Sequence, residues 1–136
     1  MSGSFFDTSV LVYAEDHDEP AKQARALDLL RNLAGNGTAF VSTQVLQEYF
    51  VTTTRKLGVP VEIARRKVEL LAELNLVVTG PDDVLAAIDL HRLHSFSFWD
   101  ALIVRAALGS RCSVLFTENL QHGRKVDGLR IVDPFR

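Results

Sequence analysis

Short runs of β-branched and aromatic residues alternate along this chain with longer segments of helical spacing, and this alternation restricts the fold more than any other feature. The clearest runs are Ala39-Phe40-Val41, Leu76-Val77-Val78 and Val114-Leu115-Phe116; Phe5-Phe6 near the start and Arg130-Ile131-Val132 near the end read as two more. Strand and helix in repetition predict an α/β fold, a three-layer α/β/α sandwich around a mostly parallel sheet of about five strands.

Prolines and glycines punctuate the helical segments. Pro20 opens a helix that runs to Gly35, Pro60 opens one ending near Asn75, and Pro81 with Asp82 opens one ending near His94. Another follows Thr43 and breaks at Gly58, and another follows Ser97 and breaks at Gly109. A length of 136 residues suits one core, so residues 1–136 read as a single domain.

The lone Cys112 has no partner for a disulfide or a structural zinc site, which fits a reducing cytoplasm. No export signal or membrane-spanning apolar run is read. A formal net charge of -2 argues against a basic sleeve for nucleic acid, leaving the local clusters Arg55-Lys56, Arg65-Arg66-Lys67 and Arg124-Lys125 as cationic contacts.

In an open parallel sheet the ligand crevice lies beyond the carboxyl ends of the strands. Asp7 stands at the end of the first strand, Ser42 and Thr43 end the second and lead to Glu48, and Thr117-Glu118-Asn119 ends a later one. Each acid has an ordinary reading as well. Asp7 in Asp7-Thr8-Ser9 is a good helix N-cap, Glu48 flanks an apolar helical stripe as surface glutamates do, and Ser97 with Asp100 forms a Ser-x-x-Asp capping box. Asp100 is the most telling, because Phe98-Trp99-Asp100-Ala101-Leu102-Ile103-Val104 is apolar almost all round. Acids on separate elements that converge on one crevice suit a hard, oxygen-liganded cation, Mg²⁺ or Mn²⁺, and with it phosphodiester hydrolysis.

Taken in order, Asp7-Thr8-Ser9, Glu48 in Gln44-Val45-Leu46-Gln47-Glu48, Asp100 in Phe98-Trp99-Asp100-Ala101-Leu102, and Thr117-Glu118-Asn119-Leu120 resemble the four motifs of the PIN domain over nearly the whole chain. Within that family the chain most resembles the bacterial VapC-type ribonuclease toxins. The resemblance implies a Mg²⁺-dependent endoribonuclease, usually a homodimer, acting as the toxin of a type II toxin-antitoxin pair and neutralised by a VapB-like antitoxin. It also implies that Asp7, Glu48 and Asp100 bind the metal and carry catalysis, with Ser9 and Thr117 as supporting hydroxyls. The family usually has an aspartate where this chain has Asn119. An amide oxygen can ligate but brings no charge, so the fourth position falls to Asn119 or to its neighbour Glu118.

Weaker features point elsewhere. His91 and His94 share a helical face but lack further zinc ligands. His122 lies in a polar turn, and Arg65-Arg66-Lys67 reads as a solvated face that could also meet RNA or protein. Without Gly-x-Ser-x-Gly or a phosphate-binding glycine loop, a serine hydrolase and an NTPase are disfavoured. The rival functions are an inactive PIN-like module that binds RNA or protein, and a receiver-like domain phosphorylated on Asp7.

Overall fold

Phe5 and Phe6 are wholly buried, and the short strand that holds them, β1 (Ser4–Phe6), lies inside the sheet. The computed structural model describes residues 2–136. After β1 come α1 (Thr8–Tyr13), α2 (Pro20–Gly35), β2 (Ala39–Ser42), α3 (Thr43–Arg55), α4 (Val61–Leu71), β3 (Asn75–Val77), α5 (Pro81–His94), α6 (Phe98–Gly109), β4 (Val114–Phe116), β5 (Lys125–Val126) and β6 (Leu129–Val132). The sheet order is β3-β2-β1-β4-β6-β5, parallel throughout except for the β5–β6 pair.

The α/β sandwich expected from the alternating pattern is present, with six strands where about five were expected. The additional one, β5, is two residues long, too short for any periodicity to show. Its real signal is Asp127-Gly128, whose φ angles of 49° and 88° are both positive, as a tight hairpin turn requires. The helix opened at Pro60 ends at Leu71, before the expected stop near Asn75. Asn75 instead starts β3, and its side-chain amide donates to the carbonyls of Gly37 and Ala39 at 2.9 and 3.0 Å, fastening that edge to β2.

The apolar helix α6 is buried along Ala101, Leu102, Ile103, Val104, Ala106 and Ala107, which explains why its sequence lacks a polar face. From β1 the chain builds outward to β2 and β3 on one side, then crosses to β4 and β6 on the other. The order therefore reverses between β1 and β4. There the two adjacent connections diverge and leave a crevice at the strand ends, and Asp7 and Thr117 are the first residues past β1 and β4.

Candidate functional site

Asp7 is only 4% exposed and caps α1 from a β conformation, its Oδ1 accepting the Thr8 N–H at 2.7 Å. Its Oδ2 accepts the hydroxyl of fully buried Thr117, also at 2.7 Å. The capping reading of Asp7 is thus correct, but a six-residue helix does not explain why a carboxylate is buried at the sheet's switch point. Burial pushes the Asp7 pKa up to about 6; the bonds from Thr117 and Thr8 pull it down, and the charges of Glu48 and Asp100 push it up further. The three acids from separate elements therefore share one electrostatic neighbourhood.

Glu48 is not the free surface acid that its helical position also allowed. It is half-buried, with Oε1 accepting the Thr8 hydroxyl at 2.7 Å and Oε2 accepting the Gln44 amide at 3.2 Å. Thr8 thus serves both acids, its N–H on Asp7 and its O–H on Glu48. Gln44 performs a second bridge, since the same amide nitrogen donates to the Trp99 carbonyl at 3.1 Å and ties α3 to the start of α6. Thr8 stood inside a recognised motif without an assigned role, and nothing in the spacing singled out Gln44.

Asp100 lies at the first turn of α6. Ser97 Oγ accepts the Asp100 N–H at 3.1 Å, which is one half of the expected capping box. Among the described residues the Asp100 carboxylate makes no hydrogen bond of its own, so the reciprocal half is not formed and the acid is available to a ligand.

The fourth motif divides. Asn119 is exposed, with its N–H on Thr117 Oγ1 at 3.1 Å, and the Glu118 N–H meets Ser9 Oγ at 3.4 Å. Glu118 turns away from Asp7, with Oε1 taking the Tyr13 hydroxyl at 2.8 Å and Oε2 the Lys22 ammonium at 2.5 Å. Burial pushes this carboxyl up, but the bonds from Lys22 and Tyr13 and the Lys22 charge outweigh it and hold the pKa below the usual range. Lys22 in turn lies over the Tyr13 and Phe135 rings, 4.6 and 5.5 Å from their centres.

Beside the acids runs an open groove of about 660 Å³, whose lining includes Thr8, Ser9, Tyr13, Glu48, Val51 and Asn119. Among the described residues no three His, Cys, Asp or Glu side chains are drawn together closely enough to form a finished ion cage. The donor set nevertheless suits a hydrated hard cation, because Mg²⁺ keeps several waters and is typically held through one or two carboxylates. The acids offer oxygens only, and a buried anion flanked by like charges is what a divalent ion relieves.

Sequence comparison matches the PIN domain over residues 4–127. The chain belongs to the PIN domain family. A search of curated protein sequences finds no match. Among solved structures, this PIN domain is similar to a toxin-antitoxin complex from Klebsiella pneumoniae, at TM-score 0.71 and 20% identity over 97% of this chain and 98% of that one. It is also similar to VapC20 from Mycobacterium tuberculosis, a sarcin-ricin-loop-cleaving toxin, at TM-score 0.68 and 18% identity over 86% and 92% of the two chains. A third is VapBC2 from Rickettsia felis bound to a DNA fragment from their promoter, at TM-score 0.68 and 19% identity over 94% and 96%. At these identities the likeness is one of fold.

The other singled-out residues have local partners. His91 Nδ1 lies against the Phe96 carbonyl and His122 Nδ1 accepts the Asp133 N–H, while Arg65 and Arg66 pair with Glu69 and Lys67 with Glu15. No helix among the described residues is long and apolar enough to cross a membrane.

The geometry of Glu118 yields an expected result. Both of its oxygens are engaged by Lys22 and Tyr13, so Glu118→Gln should leave divalent-ion affinity unchanged and cost less than about 1 kcal/mol of stability, as partly exposed ion pairs do. Asn119→Asp should tighten Mg²⁺ or Mn²⁺ binding by roughly tenfold, because an added charge near the site attracts the ion. Calorimetric titration of both variants checks this. A large loss of affinity in Glu118→Gln would assign the missing acid's role to Glu118.

Proposed function

We propose that residues 1–136 form a single PIN domain that cleaves RNA as a divalent-metal-dependent endoribonuclease, with Mg²⁺ as the ion and Mn²⁺ as a substitute. The observation that carries this reading is the buried Asp7 at the sheet's switch point, with its pKa raised to about 6 and the charges of Glu48 and Asp100 acting on it. Asp7, Glu48 and Asp100 would hold the ion. When bound there, it supplies a Lewis acid that activates water and offsets charge in an in-line phosphodiester displacement.

Thr117 and Thr8 fix the Asp7 carboxylate from both sides, and Thr8 with Gln44 fixes that of Glu48. Ser9, Asn119 and Glu118 line the approach along the groove, and Lys22 holds the Glu118 carboxylate. The bound carboxylates cannot swing toward an arriving phosphate, and this prior ordering is what an electrostatic site contributes to rate.

The same reading makes the chain the toxin of a type II pair in the cytoplasm. Similar folds include a toxin-antitoxin complex and VapBC2, and an acidic crevice that processes phosphates is a natural seat for an antitoxin Arg or Lys. Leu85, Ile88 and Leu93 lie exposed along α5, and we assign that apolar surface to a homodimer contact, which light scattering tests. Growth arrest relieved by an adjacent small gene product is the test of the antitoxin.

The deciding experiment is incubation of purified protein with total cellular RNA in Mg²⁺ and in EDTA, followed by mapping of the cut ends. Discrete cuts that require the metal support the nuclease. Binding of RNA with no cleavage in either Mg²⁺ or Mn²⁺ would establish the second reading, an inactive PIN-like module. That reading draws on the exposed Asn119 at the fourth position and on the lack of a finished ion cage among the described residues.

A further inference from the structure

Trp99 is the chain's one tryptophan and is 63% exposed, although an indole of this size normally buries most of its surface. Its position is nonetheless fixed. It precedes Asp100 at the start of α6, and its carbonyl accepts the Gln44 amide that also donates to Glu48. The indole lies edge-on to Phe98, with ring centres 5.2 Å apart and planes at 71°. The Trp99 backbone is therefore fixed next to Asp100 and tied through Gln44 to Glu48, while its indole is offered mainly to solvent.

A cation stands on the approach to the same helix start. The Arg124 guanidinium lies 4.5 Å from the centre of the Phe96 ring and donates to the His94 carbonyl at 3.3 Å. The acidic centre by itself repels a polyanion, so a strand that enters it must gain affinity from groups around it. A fixed cation and an exposed aromatic ring are the pair that single-stranded nucleic acids use, the one for phosphate and the other for a base.

We propose that Trp99 is the base-stacking residue of this site and takes an unpaired nucleobase of the RNA strand whose phosphate enters the Asp7, Glu48 and Asp100 centre. The inference rests on the nuclease reading and narrows it to single-stranded or looped RNA, because a base inside a duplex offers no free face. Every base has a π face, so Trp99 adds affinity with little sequence preference.

Because no other tryptophan is present, tryptophan emission excited at the red edge, where tyrosine does not absorb, reports on Trp99 alone. The full chain in Mg²⁺ is titrated with a phosphorothioate-linked RNA heptamer, which resists hydrolysis. Binding is followed by anisotropy of a labelled heptamer and emission is followed with an unlabelled one. The expected result is quenching that saturates along the anisotropy curve, with Trp99→Ala weakening Kd roughly tenfold and Trp99→Phe much less. The heptamer annealed to its complement should not quench.

Saturating anisotropy with unmoved emission and an unchanged Kd in Trp99→Ala would overturn the proposal and leave the nuclease reading standing. Emission that shifts with protein concentration alone would overturn it too, by showing that a second copy covers Trp99. A chain that neither binds the heptamer nor cuts RNA would fail both readings. Trp99 is exposed, so circular dichroism of Trp99→Ala should match the parent and keep the comparison valid.

Discussion

Asp7→Asn is expected to abolish RNA cleavage and, in the same protein, to raise the melting temperature at neutral pH in EDTA. Cleavage is lost because an amide keeps the shape but not the charge that the metal requires. The gain in stability follows from burial. Asp7 has a pKa of about 6 in the folded chain against 3.8 for an ordinary aspartate. As pH rises through that window the unfolded chain releases the proton first, so stability falls with pH and the full penalty is present above pH 6. The gap corresponds to about 3 kcal/mol at pH 7 and above.

Asparagine avoids this penalty and still accepts one of the two hydrogen bonds, so a net gain of about 1 to 2 kcal/mol, or several degrees, is reasonable. Melts of both proteins in EDTA at pH 4.5 and pH 7.5 check the result, and the advantage of the variant should shrink at the lower pH. A variant less stable than the parent at pH 7.5 would mean that the ionised Asp7 acts as a stabilising cap. Retained metal-dependent cleavage would remove Asp7 from the site.

Thr117→Val should be strongly destabilising, and more so at high pH. The hydroxyl is fully buried, donates to Asp7 Oδ2 at 2.7 Å and accepts the Asn119 N–H at 3.1 Å. Valine fills the same volume but leaves the Asp7 oxygen and the Asn119 N–H without these partners. Losing a buried bond to a charged group costs about 2 to 3 kcal/mol, or roughly 5 to 10 °C for a domain of this size. Because the Thr117 bond holds the Asp7 pKa down, its loss raises that pKa beyond about 6, and the added penalty grows as pH rises past that point. Thr117→Ser should restore most of the loss. An equal loss for Thr117→Val at pH 5 and pH 8 would show that the hydroxyl serves the Asn119 backbone and not the Asp7 charge.

Much of the fold was legible because its signals are local. Pro20, Pro81 and Ser97 mark helix starts by the chemistry of first turns, and α2, α5 and α6 begin where those residues place them. The apolar runs became strands because β-branched and aromatic side chains fit a buried sheet. Two readings went astray where a local signal was weak. The helix from Pro60 looked longer because Leu71, Ala72, Glu73 and Leu74 all suit a helix, whereas it ends at Leu71 and Asn75 is claimed by its bonds to the carbonyls of Gly37 and Ala39. The β5–β6 hairpin was passed over although Asp127-Gly128 announces it.

The sequence by itself determined the alternating α/β pattern, the family motifs, and Asp7, Glu48 and Asp100 as the residues to examine. What it could not contain is direction. A pattern of spacing does not say that Glu118 turns to Lys22 and Tyr13, that Thr8 joins Asp7 to Glu48, that Gln44 spans from Glu48 to Trp99, or that Asp100 omits the return bond of its capping box. Nor does it rank the causes of the Asp7 shift, where burial leads and the neighbouring acids add less. These depend on distances across elements far apart in the chain, because hydrogen bonds and desolvation act through a few ångströms of space, and only the packed sheet brings residue 7 against residue 117.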